Sequence, residues 1–132
     1  MLLQRACHPI ANSPAAPAEA RRYVGEALAG APVEVVDAVT LMVSELATNC
    51  VRYVDTDFTV SIERSASQVR VDVADEGGGV VSLRRPQTTD PTGRGLNIVD
   101  KLSDEWGVDA NADHGKNVWF TLGLDRRREP AC

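Results

Sequence analysis

The most constraining feature of the sequence is a point at which a strand-like pattern stops abruptly. Valines alternate with polar residues over residues 69–73, and this period of two predicts a half-buried strand. An Asp-Glu-Gly-Gly-Gly run beginning at Asp75 ends the pattern, and periodicity returns only after Gly93-Arg94-Gly95. The aperiodic residues 80–92 form a predicted loop long enough that function is the usual explanation for it.

Helical spacing of apolar residues predicts two helices before this strand. The sequence Asn12-Ser13-Pro14 combines a capping side chain with a proline, which is typical of a helix start. The helix is predicted to continue to about Ala29, where Gly30-Ala31-Pro32 breaks it. A second helix is predicted over residues 33–53, and Cys50 on its apolar stripe is predicted to be a small core hydrophobe.

The remaining patterns complete an α/β order. Residues 2–8 are predicted to form an edge strand, and residues 58–62 a strand that pairs with the central one. A third helix is predicted to begin at Gly93 with Trp106 on its apolar face, and residues 113–116 are predicted to turn a closing hairpin. The order β-α-α-β-β-loop-α-β-β predicts an α/β (α+β) two-layer sandwich, with helices on one face of a mostly antiparallel sheet.

Composition narrows the classes of function. A chain of 132 residues is enough for one core, so residues 1–132 are predicted to be a single domain. The net charge of −5 argues against direct binding to nucleic acid or a membrane, because both need clustered positive charge. Three cysteines match no disulfide framework or metal site, and no signal peptide or membrane span is evident, so a cytoplasmic protein is predicted.

Glu45 and Asn49 lie four residues apart, so a helix places them on one face. The amide oxygen of Asn49 is a hard, neutral ligand that suits an Mg²⁺ ion already carrying phosphates. The carboxylate of Glu45 could accept a proton from a nucleophile. Taken alone, the pair also fits a solvated helix face, which is the simpler interpretation.

The two glycine motifs suggest contacts to a nucleotide. Asp75 at a strand end can accept a hydrogen bond from an exocyclic amine such as N6 of adenine, and Gly77 and Gly79 let the backbone approach a flat ring. Gly93 and Gly95 free backbone N–H groups at a helix start, which favours phosphate. Alone, each motif also fits a simple turn or a flexible helix entry. A Rossmann motif is excluded by the missing third glycine, and a P-loop by the lack of Gly-Lys-Ser/Thr.

Together and in this order, the motifs resemble the N, G1 and G2 boxes of the GHKL ATPases, which include DNA gyrase B and the sensor histidine kinases. The stretch Gly-Arg-Gly-Leu-Asn-Ile-Val-Asp from Gly93, with Trp106-Gly107 and Gly115-Lys-Asn-Val-Trp-Phe after it, resembles the short bacterial anti-sigma-factor serine kinases. The resemblance covers about residues 13–124 and implies a Bergerat-type ATP-binding fold.

The resemblance implies a role for each motif. Asn49 would hold Mg²⁺, Glu45 would be the general base, and residues 80–92 would form a mobile lid that orders with nucleotide. The residues implied to bind ATP are Asp75, Gly77 and Gly79 at adenine, and Thr92, Gly93, Arg94, Gly95 and Leu96 in the motif after the loop. The chain departs from the family at Tyr53, where relatives often carry His, and after Gly79, which no Pro follows.

The resemblance further implies a protein serine/threonine kinase that uses ATP and Mg²⁺. It would phosphorylate an anti-anti-sigma protein of the STAS type and sequester a sigma factor. The predicted edge strand and the family's habit of dimerising predict a homodimer. Three alternatives stay open: a nucleotide-dependent binding module without kinase activity, a detached histidine-kinase ATPase domain, and an interaction domain with an empty pocket. The lack of a His-bearing helix pair disfavours the second, and the presence of Asp75 and Asn49 disfavours the third.

Overall fold

A computed structural model of the chain describes residues 2–54, 56–75, 91–111 and 115–124. The elements in chain order are β1 (Leu2–Ile10), α1 (Ala16–Ala27), α2 (Val33–Tyr53), β2 (Phe58–Ser65), β3 (Gln68–Asp75), α3 (Pro91–Leu102), β4 (Glu105–Asn111) and β5 (Gly115–Gly123). This order is the predicted one. No helix among the described residues is both long enough and apolar enough to cross a membrane.

The strands form one five-stranded sheet in the order β1-β2-β3-β5-β4, and every neighbouring pair is antiparallel. Val60 lies opposite Val73, which in turn lies opposite Val118, so apolar residues form rows across one face. This face is buried under the helices, whereas the alternating residues point to the other face. The predicted two-layer α+β sandwich is therefore confirmed.

The core lies between the helix layer and the buried face of the sheet. Its largest fully buried side chains are Phe58, Phe120, Ile10, Leu28, Met42, Ile62, Leu122, Val24, Val35, Val39, Val43 and Val60. Each such side chain contributes about 1.5–3 kcal/mol of hydrophobic stabilisation relative to exposure. Cys50 is buried with them, which confirms its predicted place in the core.

The predicted start signal of α1 lies just before the helix, which begins at Ala16 behind the N-cap residue Ala15. Ala15 makes no side-chain capping bond, but the hydroxyl of Ser13, next to Pro14, accepts the backbone N–H of Ala15 at 3.2 Å. Asn12 has a different role. The Asn12 amide instead donates to the carbonyls of Cys50 (3.2 Å), Val54 (2.7 Å) and Thr56 (2.8 Å). The last carbonyls of a helix lack partners within the helix, so Asn12 stabilises the end of α2 rather than the start of α1.

Trp106 lies on β4 and not on the third helix, which corrects a second prediction. The helix ends at Leu102, and the next residue, Ser103, makes the last bonds to it, donating to the carbonyl of Val99 from both its backbone N–H (2.9 Å) and its hydroxyl (2.6 Å). Trp106 then pairs with Phe120 across the sheet. Its indole N–H donates to Asp100 (2.8 Å), which ties β4 to α3.

The sheet face away from the helices carries a polar cluster. Arg70 donates to both carboxylate oxygens of Asp72, at 2.9 and 3.0 Å, and Asn117 donates to one of them at 2.8 Å. Burial opposes ionisation of Asp72, but these hydrogen bonds outweigh it, so its pKa is lowered. The guanidinium of Arg70 lies 4.6 Å from the centre of the Trp119 ring. The same ring covers Gly107, and a Cβ added to Gly107 would lie 2.8 Å from ring atoms.

Candidate functional site

A cavity of about 270 Å³ lies between α2, α3 and the helix-facing side of β3, β4 and β5. Most of the groups lining it are apolar and a few are polar. The lining residues are Leu46, Asn49, Cys50, Val54, Val73, Asp75, Leu96, Val108, Lys116 and Val118. An apolar cavity with a few convergent polar groups is the usual form of a small-molecule binding site.

Asp75, the last residue of β3, supplies a carboxylate to this cavity. Its side chain faces the helices, as do Val73 and Val71 before it, and only 8% of the residue is exposed. One carboxylate oxygen accepts a hydrogen bond of 3.1 Å from the backbone N–H of Lys116 on β5. This bond from the neighbouring strand fixes the Asp75 carboxylate at the cavity, where its oxygens can also accept a hydrogen bond from a ligand.

Asn49 reaches the cavity from α2. Its side-chain nitrogen is buried and has no hydrogen-bond partner within the described parts of the chain. Leaving such a donor unsatisfied costs about 1–3 kcal/mol, so the nitrogen fits a place where a ligand offers a hydrogen-bond acceptor, such as a phosphate oxygen. The oxygen of the same amide is a ligand type that suits Mg²⁺ held mainly by phosphates.

Glu45 lies one helical turn before Asn49, on the same side of α2. The residue is half-buried. It is not one of the residues that line the cavity, although the neighbouring Leu46 is. The predicted i, i+4 arrangement is therefore present, with Asn49 at the cavity and Glu45 beside it.

The glycine motif of α3 lies within the helix rather than before it. The helix begins at Pro91, so Gly93 and Gly95 belong to its first two turns, and Leu96 lines the cavity. The first N–H groups of a helix have no partner within it, and they carry the positive end of the helix dipole. The start of α3 therefore places anion-favouring groups next to a cavity-lining residue.

The structure brings together three of the residues predicted to form the site: Asn49, Asp75 and Leu96. For Thr92 and Arg94 it gives only the backbone, as part of α3. The predicted site residues Gly77 and Gly79, residues 80–90 of the predicted lid, and residues 113–114 of the predicted turn lie outside the described residues. The roles of these residues stay predictions.

Of the cavity residues that the sequence did not identify as site residues, Cys50 and Lys116 carry titratable groups. Burial raises the pKa of the Cys50 thiol to about 12, an effect that Asp75 increases and Lys116 reduces. The thiol thus stays protonated near neutral pH and serves as a wall of the cavity rather than as a nucleophile. Lys116 could have been found from the alternation of β5, because it precedes the inward-facing Val118 and Phe120 by two and four residues.

The family model described as "Histidine kinase-like ATPase domain" matches residues 10–122 of the chain. Among solved structures, the chain is similar to the crystal structure of the RsbU and RsbW domains of Rv1364c from Mycobacterium tuberculosis, with 19% identity and a TM-score of 0.72. The match covers 92% of this chain and 32% of that one, so the chain spans about a third of the length of its structural relative. At this identity the similarity shows the fold alone. None of the curated proteins matches the chain.

Proposed function

The chain belongs to the histidine kinase-like ATPase domain family, and on this basis we propose that it binds ATP in the cavity and transfers the γ-phosphoryl group to a serine or threonine of a partner protein. The observation that carries the proposal is the meeting of Asn49 and Asp75 at one mostly apolar cavity. The cavity combines a carboxylate that can bind adenine, an amide that can bind the metal ion and a helix start that can bind the phosphates.

In the proposed site, adenine binds at the C-terminal end of β3. Asp75 accepts a hydrogen bond from the exocyclic amine of adenine, and apolar side chains such as Val73, Val118 and Leu46 contact the faces of the ring. Because Asp75 is almost fully buried, water competes weakly for this bond. Adenine thus binds by one directed polar contact and by burial of its ring.

The phosphate end of the proposed site lies between α2 and the start of α3. The backbone N–H groups of the first turn of α3, that of Gly93 among them, donate to phosphate oxygens, the helix dipole adds to their attraction for anions, and Gly95 in the next turn leaves room for the phosphates. Asn49 would hold Mg²⁺ through its amide oxygen, and its buried amide nitrogen, which has no partner within the described residues, would donate to a phosphate oxygen. When bound, the ion would neutralise negative charge on the phosphate oxygens.

Glu45 is the proposed general base. As the acceptor hydroxyl oxygen bonds to the γ-phosphorus, Glu45 takes the hydroxyl proton. The bond from the γ-phosphorus to the bridging oxygen breaks, and ADP leaves with its electron pair. Phosphoryl transfer depends on positioning and charge neutralisation more than on covalent chemistry, so a small domain of this kind can support it.

The proposed phosphoacceptor is an anti-anti-sigma protein of the STAS type, and the proposed second partner is a sigma factor that the domain sequesters. Support comes from the sequence resemblance and from the similarity to a structure that contains an RsbW domain. We also propose that the protein is cytoplasmic and forms a homodimer. Support for the dimer comes from β1, which is an edge strand of the sheet that the described residues form, since an edge strand can pair with a second chain.

A second candidate function is a nucleotide-dependent binding module without kinase activity. The specific observation that favours it is the position of Glu45, which is beside the cavity but not among the residues that line it. In this case ATP would change the binding surface without losing its γ-phosphoryl group. The two candidates share the same nucleotide site and differ only in the role of Glu45.

The Glu45→Ala variant separates the two candidates. Wild type and variant are given labelled ATP, Mg²⁺ and candidate anti-anti-sigma proteins, with Glu34→Ala at an exposed position of the same helix as the control. The kinase proposal predicts nucleotide affinity within a few-fold of wild type and a transfer rate lower by roughly 10²–10⁴. Equal transfer by Glu45→Ala would remove Glu45 from the mechanism. Nucleotide binding without transfer by the wild type would favour the binding module.

A further inference from the structure

Lys116 occupies an unusual place for a lysine. On β5, Val118, Phe120 and Leu122 face the helices and are buried, so the period of two turns Lys116 to the same side. The register that pairs Ala74 with Asn117 also puts Lys116 opposite Asp75. Asp75 and Lys116 thus line the cavity from adjacent strands, at neighbouring positions.

The Lys116 side chain lines the cavity and does not form the contact that holds Asp75. Its bond to Asp75 comes from the backbone N–H, which leaves the side chain available for other contacts. None of the ion pairs formed within the described residues involves Lys116. Its charge lowers the pKa of the Cys50 thiol against the effect of Asp75, so both charged groups lie near the same part of the cavity wall.

From this placement we infer that the Lys116 ammonium donates a hydrogen bond to a ring nitrogen of adenine. This nitrogen lies next to the exocyclic amine, which donates its hydrogen bond to Asp75. The inference rests on the proposed function, since it assigns a second base contact within the same site. In adenine, the exocyclic amine is flanked by the acceptors N1 and N7. A protein acceptor with a donor directly beside it therefore matches the amine and one neighbouring ring nitrogen.

The same pair of charges selects against guanine bound in this orientation. Guanine has the carbonyl oxygen O6 where adenine has its amine, and O6 would meet the Asp75 carboxylate without a proton between them. A site that rejects a base by leaving a buried polar group unpaired discriminates strongly. Lys116 and Asp75 together make the site specific for adenine nucleotides.

The test measures the affinity of ADP for the wild type, Lys116→Met and Lys116→Arg by calorimetry. Lys116→Met keeps the length of the side chain and the backbone bond to Asp75 but loses the charge and the donors. The chain's other lysine, Lys101, is exposed on α3, so Lys101→Met is a matched control. Each protein is also titrated with 1-deaza-ADP and 7-deaza-ADP, which lack the acceptors N1 and N7, and thermal unfolding without ligand checks the fold of each variant.

We expect Lys116→Met to bind ADP roughly 10- to 150-fold more weakly, the range expected for a hydrogen bond to a charged group. Lys116→Arg, which keeps a donor, should recover part of this loss, and Lys101→Met should equal the wild type. The wild type should lose a similar factor on one deaza analogue only, and Lys116→Met should not distinguish that analogue from ADP.

Three outcomes would overturn the inference while ADP binding by the wild type leaves the proposed function intact. The first is an unchanged affinity of Lys116→Met for ADP. The second is an equal loss by Lys116→Met on ADP and both analogues, which would indicate a general charge effect. The third is wild-type binding of both analogues as tightly as ADP, which decides the matter even where Lys116→Met does not fold. A wild type that binds no ADP would overturn the proposed function and this inference with it.

Discussion

Asp75 and Asp72 lie on the same strand but face opposite sides of the sheet, which makes them a matched pair for testing the site. Asp75→Asn keeps the shape of the side chain and an oxygen that can accept the N–H of Lys116 at the observed 3.1 Å. It replaces a charged acceptor facing the cavity with an amide. A hydrogen bond to a charged group contributes about 1.5–3 kcal/mol. We therefore expect adenine nucleotides to bind roughly 10- to 150-fold more weakly.

The assay is calorimetric titration with ADP, supported by thermal unfolding of the free proteins. Asp72→Asn is the control, because it removes a carboxylate that Arg70 binds on the face away from the cavity. We expect Asp72→Asn to lose stability and to bind ADP within about two-fold of wild type, since its site is separate from the cavity. ADP affinity of Asp75→Asn equal to that of wild type would refute the role of Asp75. An equal loss in both variants would show that the effect is a general one on the fold.

Two further predictions concern the stability contributed by residues on the sheet face away from the helices. Gly107→Ala should destabilise the fold by about 1–3 kcal/mol, because a Cβ there would lie 2.8 Å from ring atoms of Trp119, which Arg70 covers. Gly25→Ala, whose Cβ would meet open space on α1, should instead stabilise the fold by about 0.5–1 kcal/mol. Denaturant unfolding measures both free energies, and equal effects would contradict the packing of Trp119 over Gly107. The lowered pKa of Asp72 predicts a stability contribution that is complete above the usual aspartate pKa of about 3.9 and is lost as pH falls through the lower folded value. Unfolding from pH 7 to pH 2 should therefore show a smaller acid loss in Asp72→Asn than in wild type, and parallel curves would contradict this.

The element order followed from the sequence because apolar periodicity changes between 3.6 and 2 where a helix meets a strand, and turn residues such as Gly30 and Pro32 separate elements of the same type. The positions of Trp106 and Asn12 were not predicted, because the sequence around each residue is compatible with more than one structure. Trp106 continues the helical spacing of α3 by coincidence, and no glycine or proline follows Leu102 to indicate that the helix ends there. Asn12 has the chemistry of a cap, but its partners are the carbonyls at the end of α2, about 40 residues away in sequence. Such long-range bonds leave no trace in a short window of sequence.

The candidate site was predictable to the extent that single side chains carry its chemistry. Asn49 and Asp75 were identified from residue type and position, and the structure places both at the cavity. Lys116 was missed because it follows Gly115 and was assigned to the turn, although β5 already begins at that glycine. Cys50 was identified as a core residue, but the sequence does not distinguish a core from a cavity wall. That difference depends on how far α2 and the sheet are separated, which is a property of the packed fold.

The most direct test of the account is a titration of the wild-type chain with ADP and ATP, in the absence of Mg²⁺ and at rising Mg²⁺ concentrations. If the cavity is an ATP site, one adenine nucleotide should bind saturably per chain, and more tightly with Mg²⁺ because Asn49 would then hold the ion beside the phosphates. We also expect that GTP does not compete with ADP for the site. Absence of nucleotide binding at every Mg²⁺ concentration would contradict the assignment of the cavity as an ATP site.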